Sequence, residues 1–106
     1  MEFLSRPEEL ILLAIGRLDD TAYCVPIRAE VSKMTGTDWC FGAVYVPLDR
    51  LEKKGMISSR LGPSTPARGG RSKRFYRITR EGLKALAEVK KLHQTAWEGF
   101  PKRVLD

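Results

Sequence analysis

From Ile57 to Arg80 the chain carries seven basic side chains, Arg60, Arg68, Arg71, Lys73, Arg74, Arg77 and Arg80, and no acid. Arginine and lysine are the side chains that neutralise phosphate, the first as a planar fork of donors and the second as a point charge. The 106-residue chain nets +6, so everything outside this stretch sums to −1. The cations are concentrated rather than diffuse, which is the electrostatic footprint of a surface for polyanions. No other chemistry has a comparable residue set. There is a single histidine, His93, and there are two cysteines, Cys24 and Cys40, without a CxxC. The run Gly69-Gly70-Arg71-Ser72-Lys73 lacks the spacing of a phosphate-binding loop. No catalytic site, metal site or cofactor is therefore expected, and the chain is not read as an enzyme. The two thiols are expected to be free and buried, with a redox pair as the alternative.

The basic stretch must be held by a hairpin. Met56–Leu61 and Lys73–Ile78 carry β-branched and aromatic residues in rough alternation, and Gly and Pro punctuate the loop between them. That loop, Gly62–Ser72, is eleven residues long. Connections of such length are usually functional or disordered. Upstream, Ser5-Arg6-Pro7-Glu8 predicts a helix start: Ser5 caps, Glu8 closes a capping box and Pro7 suits the first turn. Leu10, Ile11, Ala14, Ile15 and Leu18 recur at helical spacing, and Leu12 and Leu13 widen the apolar surface. Such a helix is expected to face its own domain on one side and a partner subunit on the other. A second helix follows Tyr23-Cys24-Val25-Pro26 and runs to about Thr35, with Ile27, Val31 and Met34 inward and Gly36 as its stop. A third runs from about Phe41 to Lys54, with Val44, Leu48 and Leu51 inward, Pro47 inside it and Gly55 after it. Thr79 caps a fourth, in which Leu83, Leu86 and Ala87, with Val89 or Leu92, continue the apolar pattern towards His93 or Trp97.

This order predicts a mainly α chain with a two-stranded β-hairpin, a winged helix-turn-helix with a three-helix core, a wing and a C-terminal dimerisation helix. The expected divisions are 1–79 for the DNA-binding domain including the N-terminal helix, 80–98 for the dimerisation helix and 99–106 for a tail. No run approaches the roughly 18 apolar residues of a membrane span. The opening MEFLSRPEEL has acids in place of an apolar leader, so a cytoplasmic location is expected.

Two segments carry a family resemblance. Gly42–Ile57, with its small pair Gly42-Ala43, then Tyr45, Leu48, Arg50-Leu51-Glu52 and Gly55-Met56-Ile57, resembles the recognition helix of PadR-type transcriptional regulators. The wing Thr65–Thr79 followed by Glu81-Gly82, and Tyr23–Arg28 at the second helix, resemble the same family. The resemblance covers about Leu10 to Leu86. It implies a repressor that binds double-stranded DNA as a homodimer, with the first and last helices forming the dimer interface. Three positions depart from the family pattern: Cys24 stands where Gly is usual, Cys40 where Ser commonly caps the third helix, and Pro47 one place late.

Affinity is expected from the wing, where Arg68, Arg71, Ser72, Lys73 and Arg74 address phosphates and Arg68 or Arg71 can enter a narrow minor groove. Gly69-Gly70 lets the backbone approach closely. Specificity is expected from the outward positions of the third helix, Gly42, Ala43, Tyr45, Val46, Asp49 and Arg50. Arg50 can address guanine, Ala43 and Val46 thymine methyls, and Tyr45 a phosphate unless it is a half-buried core residue. Leu10, Leu13, Leu86, Val89, Leu92 and Trp97 are the expected dimer contacts. Some relatives use aromatic residues near the dimer axis to bind flat hydrophobic effectors, which makes Trp97 a candidate effector contact. The competing class is a winged helix that binds a protein or RNA partner without specific duplex binding.

Overall fold

The computed structural model describes residues 2–62 and 73–104. Four helices and a hairpin follow in order: α1 (Arg6–Leu18), α2 (Cys24–Thr35), α3 (Phe41–Lys53), β1 (Ile57–Leu61), β2 (Arg74–Ile78) and α4 (Arg80–Trp97). Short 3₁₀ turns occupy Asp19–Thr21 and Lys102–Val104. This is the winged helix-turn-helix expected from the sequence.

The caps explain the boundaries. Ser5 Oγ accepts from the Glu8 N–H at 3.3 Å while the Glu8 carboxylate accepts from the Ser5 N–H at 2.8 Å. Both orphan donors at the start of α1 are thereby satisfied. At the end of α3 the Met56 N–H reaches the Leu51 carbonyl at 2.9 Å and the Gly55 N–H reaches that of Glu52 at 3.0 Å. This Schellman pairing needs the left-handed backbone that Gly55 supplies at φ +76°. The Thr79 hydroxyl donates to the Gly55 carbonyl at 2.7 Å and accepts from the Gly82 N–H at 3.2 Å. One threonine thus ties the exit of α3 to the entry of α4.

Each inward stripe contributes to one core. Ile11, Leu12, Ala14 and Ile15 of α1 meet Ile27 and Val31 of α2, Val44, Leu48 and Leu51 of α3, Ile57 and Tyr76 of the hairpin, and Val89 of α4. Burying each large aliphatic side chain is worth about 1.5–3 kcal/mol. Leu12 belongs wholly to this core, so of the extra leucines of α1 only Leu13 is left outside, 42% exposed. The inward stripe of α4 is Gly82, Ala85, Leu86 and Val89, at i, i+3, i+4 and i+7. Leu83, expected to continue the apolar pattern, is instead turned out to 58% exposure. The reason is Gly82: a Cβ there would lie 2.2 Å from the Met56 carbonyl oxygen and 2.8 Å from Ile78 Cγ2. The helix docks on backbone at a residue with no hydrophobicity to betray it.

The hairpin is antiparallel, pairing Ile57 with Ile78, Ser59 with Tyr76 and Leu61 with Arg74. On the other edge of β2 the Tyr76 N–H donates to the Ala22 carbonyl at 2.8 Å, so the segment before α2 supports the wing. Among the described residues no helix is long and apolar enough to cross a membrane.

Candidate nucleic-acid interface

The start of α3 is fixed from α2. The Ser32 hydroxyl accepts from the Trp39 N–H at 3.0 Å, and the Trp39 indole donates to the Thr35 hydroxyl at 3.0 Å. Arg28 donates to the Trp39 carbonyl at 3.1 Å, and its guanidinium lies 4.8 Å from the centre of the Phe41 ring. Cys40, at the N-cap, makes no side-chain capping bond. These α2 side chains therefore hold the turn that the cap does not. Both thiols are free, but Cys40 is exposed rather than buried as expected. Cys24 is half-buried, and burial pushes its thiol up against the opposing pull of Arg28.

With Val44, Pro47, Leu48 and Leu51 inward, α3 presents Gly42, Ala43, Tyr45, Val46, Asp49 and Arg50 to solvent. Tyr45 is 60% exposed, which removes the reading of a half-buried core tyrosine. Gly42, Ala43, Val46 and Arg50 border an open cleft of about 640 Å³, closed on its far side by Pro7 and the turn Thr37–Cys40. Asp49 pairs with Lys53 at 3.0 Å on its own helix. Arg50 makes no ion pair among the described residues, so its fork is available to a ligand.

The wing flanks this face. Arg68, Arg71 and Ser72 lie outside the described residues. The basic residues that are described on the strands and their flank are each oriented by a partner. Lys73 Nζ stands 4.3 Å over the Tyr23 ring, and Arg60 lies 5.3 Å over Phe75. Arg77 meets Asp20 at 3.1 Å, and Arg74 Nη1 donates to Ser59 Oγ at 2.9 Å. The Ser59 hydroxyl in turn donates to Glu52 of α3. Phe75 is edge-on to Tyr23 at 5.5 Å and covered by Arg60, so it is not a free stacking platform. Tyr76 is buried beneath the wing, and burial first, with Tyr45 and Glu52 nearby, pushes its phenol up to about 12.

The expected dimer contacts divide into four groups. Leu13 and Leu86, with Ala87, Lys90, His93 and Gln94, line a groove of about 420 Å³ between α1 and α4. His93 Nε2 lies 3.1 Å from Glu9 Oε1 along the same groove. Leu10 is half-buried against the core, and Val89 is 3% exposed inside its own subunit. Val89 was expected at the interface; it faces inward because it completes the stripe begun by Gly82, one position out of phase with that expectation. Leu92 lines a different hollow, with Phe3, Glu88, Lys91 and Thr95. Trp97 is exposed at the end of α4, edge-on to Phe100 at 5.2 Å. Sequence reasoning missed Arg28, Glu52 and Ser59, whose roles depend on register across elements. Among the described residues no cluster of His, Cys, Asp and Glu is arranged to hold a metal.

Comparison with known proteins agrees with this geometry. No curated protein matches the chain. Among solved structures, a PadR-like transcriptional regulator from Bacillus cereus is 28% identical with a TM-score of 0.65, over 85% of this chain and 79% of that one. A PadR family regulator from Eggerthella lenta is 25% identical with a TM-score of 0.70, over 90% and 80% of the two chains. A PadR family regulator from Clostridium difficile, 22% identical with a TM-score of 0.68, shares the fold over 96% of this chain and 100% of that one. The model of the transcriptional regulator PadR-like family matches residues 11–88, which take in most of α1, the helix-turn-helix, the wing and the first half of α4. The chain thus belongs to the PadR-like family of DNA-binding transcriptional regulators.

Proposed function

We propose that the protein is a sequence-specific, cytoplasmic repressor that binds its operator as a homodimer. In this reading α3 enters the major groove and the basic wing lies along phosphates and the adjacent minor groove. The observation that carries it is the pairing of an α3 whose exposed acids are engaged, Asp49 by Lys53 at 3.0 Å and Glu52 by the Ser59 hydroxyl, with a wing of uniformly positive charge. Ala43 and Val46 offer apolar contact to thymine methyls, and Arg50 offers a bidentate fork to guanine. With neither Asn nor Gln on that face, direct readout is modest, and half-site spacing and DNA shape supply the rest.

The groove between α1 and α4 is the surface we assign to the second copy, with Leu13, Leu86 and Ala87 as its apolar floor. Residues 1–79 then serve as the DNA-binding part and 80–98 as the dimerisation helix. Trp97 is the proposed contact for a flat hydrophobic effector, supported by its exposure next to Phe100. A wing whose two described aromatics are engaged, Tyr76 by burial and Phe75 by Arg60 and Tyr23, favours duplex DNA over single-stranded RNA.

Footprinting on the DNA upstream of the protein's own gene tests the reading. A palindromic protected region with half-sites about one helical turn apart is expected. Binding to random duplex that is weak and insensitive to salt would instead indicate a protein-interaction module.

A further inference from the structure

The wing of a two-stranded ribbon is a lever, and the structure shows what holds it. Ser59, Leu61, Arg74 and Tyr76 share one face of the hairpin, since paired and alternate residues point the same way. That face is turned to the body, where Ile57 and Tyr76 are buried. On it Arg74 Nη1 donates to Ser59 Oγ at 2.9 Å, a diagonal cross-strand contact. A hydroxyl has one proton and two lone pairs, so Ser59 can accept from Arg74 while giving its own proton to Glu52. Glu52 lies in the last turn of α3. The result is a cation–hydroxyl–carboxylate chain, charge-assisted at both ends, that spans from the second strand to the groove-facing helix.

We propose that Glu52, Ser59 and Arg74 form a brace that sets the angle of the wing to α3, and that Arg74 is a positioning residue rather than a phosphate ligand. The inference rests on the DNA-binding reading above. Five residues of strand make a lever of about 16 Å, so a swing of roughly 10° at its base displaces the far end by about 3 Å. That is the length of a hydrogen bond, enough to take a contact at the far end of the ribbon out of register with a phosphate. Two tethers lie towards the base of the ribbon, the Tyr76 N–H on Ala22 and Arg77 on Asp20, while Lys73 and Phe75 meet Tyr23, ahead of α2. Arg74 is the β2 residue nearest the loop, and through Ser59 its tether reaches α3. The brace also gives a purpose to an acid placed beside a polyanion. Glu52 alone would repel phosphate, whereas Glu52 engaged by Ser59 directs the cation that steadies the ribbon.

The test is a salt series of binding to the protein's own upstream DNA with Glu52→Gln, Ser59→Ala and Arg74→Ala, and with Arg71→Ala as the comparison. These side chains are not in the core, so the variants should fold, and circular dichroism checks this. A brace predicts that all three weaken binding about three- to tenfold, with the log–log salt slope unchanged. Arg71→Ala should flatten that slope by about 0.9. Hydrogen exchange should quicken at the β1 and β2 amides in the three brace variants. Tighter binding by Glu52→Gln, as simple removal of a negative charge would give, overturns the proposal. So does a slope reduced by about 0.9 in Arg74→Ala, the mark of a phosphate ligand. A wild-type protein with no salt-dependent binding would sink the DNA-binding reading instead, and exchange at the hairpin would still report the brace on its own.

Discussion

Glu8, buried at the first turn of α1, lies with its carboxylate 2.8 Å from the ammonium of Lys54, the C-cap residue of α3. One carboxylate therefore closes the capping box and pins the C-terminal end of α3. Burial raises the pKa of Glu8, but Lys54 and the two bonds with Ser5 outweigh it, so the carboxyl sits below its ordinary value of 4.5. Because the folded value is the lower one, this contribution is complete above the unfolded value and is lost as the pH falls through the folded one. Melting temperature should hold from pH 7 to about 5 and fall below that. Glu8→Gln should be less stable at pH 7 and show a shallower acid limb. Lys54→Met should cost about 1–3 kcal/mol at pH 7, since it leaves a buried carboxylate without its cation. Thermal melts of the three proteins at pH 7, 5, 4 and 3 measure both effects.

Gly82 makes a second prediction with an unusual sign. Alanine is the better helix former by about 1 kcal/mol. At Gly82 its methyl would stand 2.2 Å from a backbone oxygen, which cannot rotate away. Gly82→Ala should therefore destabilise by about 1–3 kcal/mol. Gly42, also helical, has nothing within 4 Å of its missing Cβ. Gly42→Ala should therefore stabilise by up to about 1 kcal/mol, the opposite sign to Gly82→Ala. Urea melts of the two variants give the comparison.

These two glycines show where the sequence was legible and where it was not. Ser5 and Glu8, Gly36, Gly55 and Thr79 mark helix ends through their own local chemistry, so these boundaries are legible to within a residue or two, whereas the end of α4 is left between His93 and Trp97. The family pattern in Gly42–Ile57 is local in the same sense. The inward face of α4 is out of phase with its apolar pattern because its first contact, Gly82, packs by lacking a side chain while Leu83 advertises hydrophobicity and faces out. The bonds from Arg28 to Trp39 and from Arg74 through Ser59 to Glu52 join elements distant in sequence, and no periodicity reports them. The pairing of Ala22 with Tyr76 is a single bond on a strand edge, for the same reason invisible in advance.

The wing loop should act through charge alone. Arg68→Ala with Arg71→Ala is expected to weaken binding to operator and to random duplex by the same factor. Each lost phosphate contact should lower the log–log salt slope by about 0.9. Fluorescence anisotropy between about 50 and 200 mM salt measures the slope on both DNAs. A loss confined to the operator would place these arginines at base edges instead.

Val46 should behave in the opposite way. It is 51% exposed on α3 beside Ala43 and Arg50, with an apolar surface suited to a thymine methyl. Val46→Ala should change the preferred base at one position of each half-site, at about 1 kcal/mol of discrimination, while affinity for random duplex stays the same. Selection from a randomised operator library reads the change directly.

The proposed homodimer should turn on Leu13. It is 42% exposed in the groove with Leu86 and Ala87, while the rest of the α1 apolar surface is spent on its own core. A small domain gains from covering such a surface with a second copy, and a two-fold interface doubles every contact. A charge introduced there is met twice at the dimer seam and desolvated each time, whereas in the monomer it stays in water. Leu13→Glu should therefore yield a monomer in sedimentation velocity with its circular dichroism intact. Operator affinity should fall by more than affinity for a single half-site, because only the dimer fixes the spacing of two α3 helices. A Leu13→Glu protein that remains dimeric would move the interface off this groove, and Leu92 in the hollow beside Phe3 would be the next position to charge.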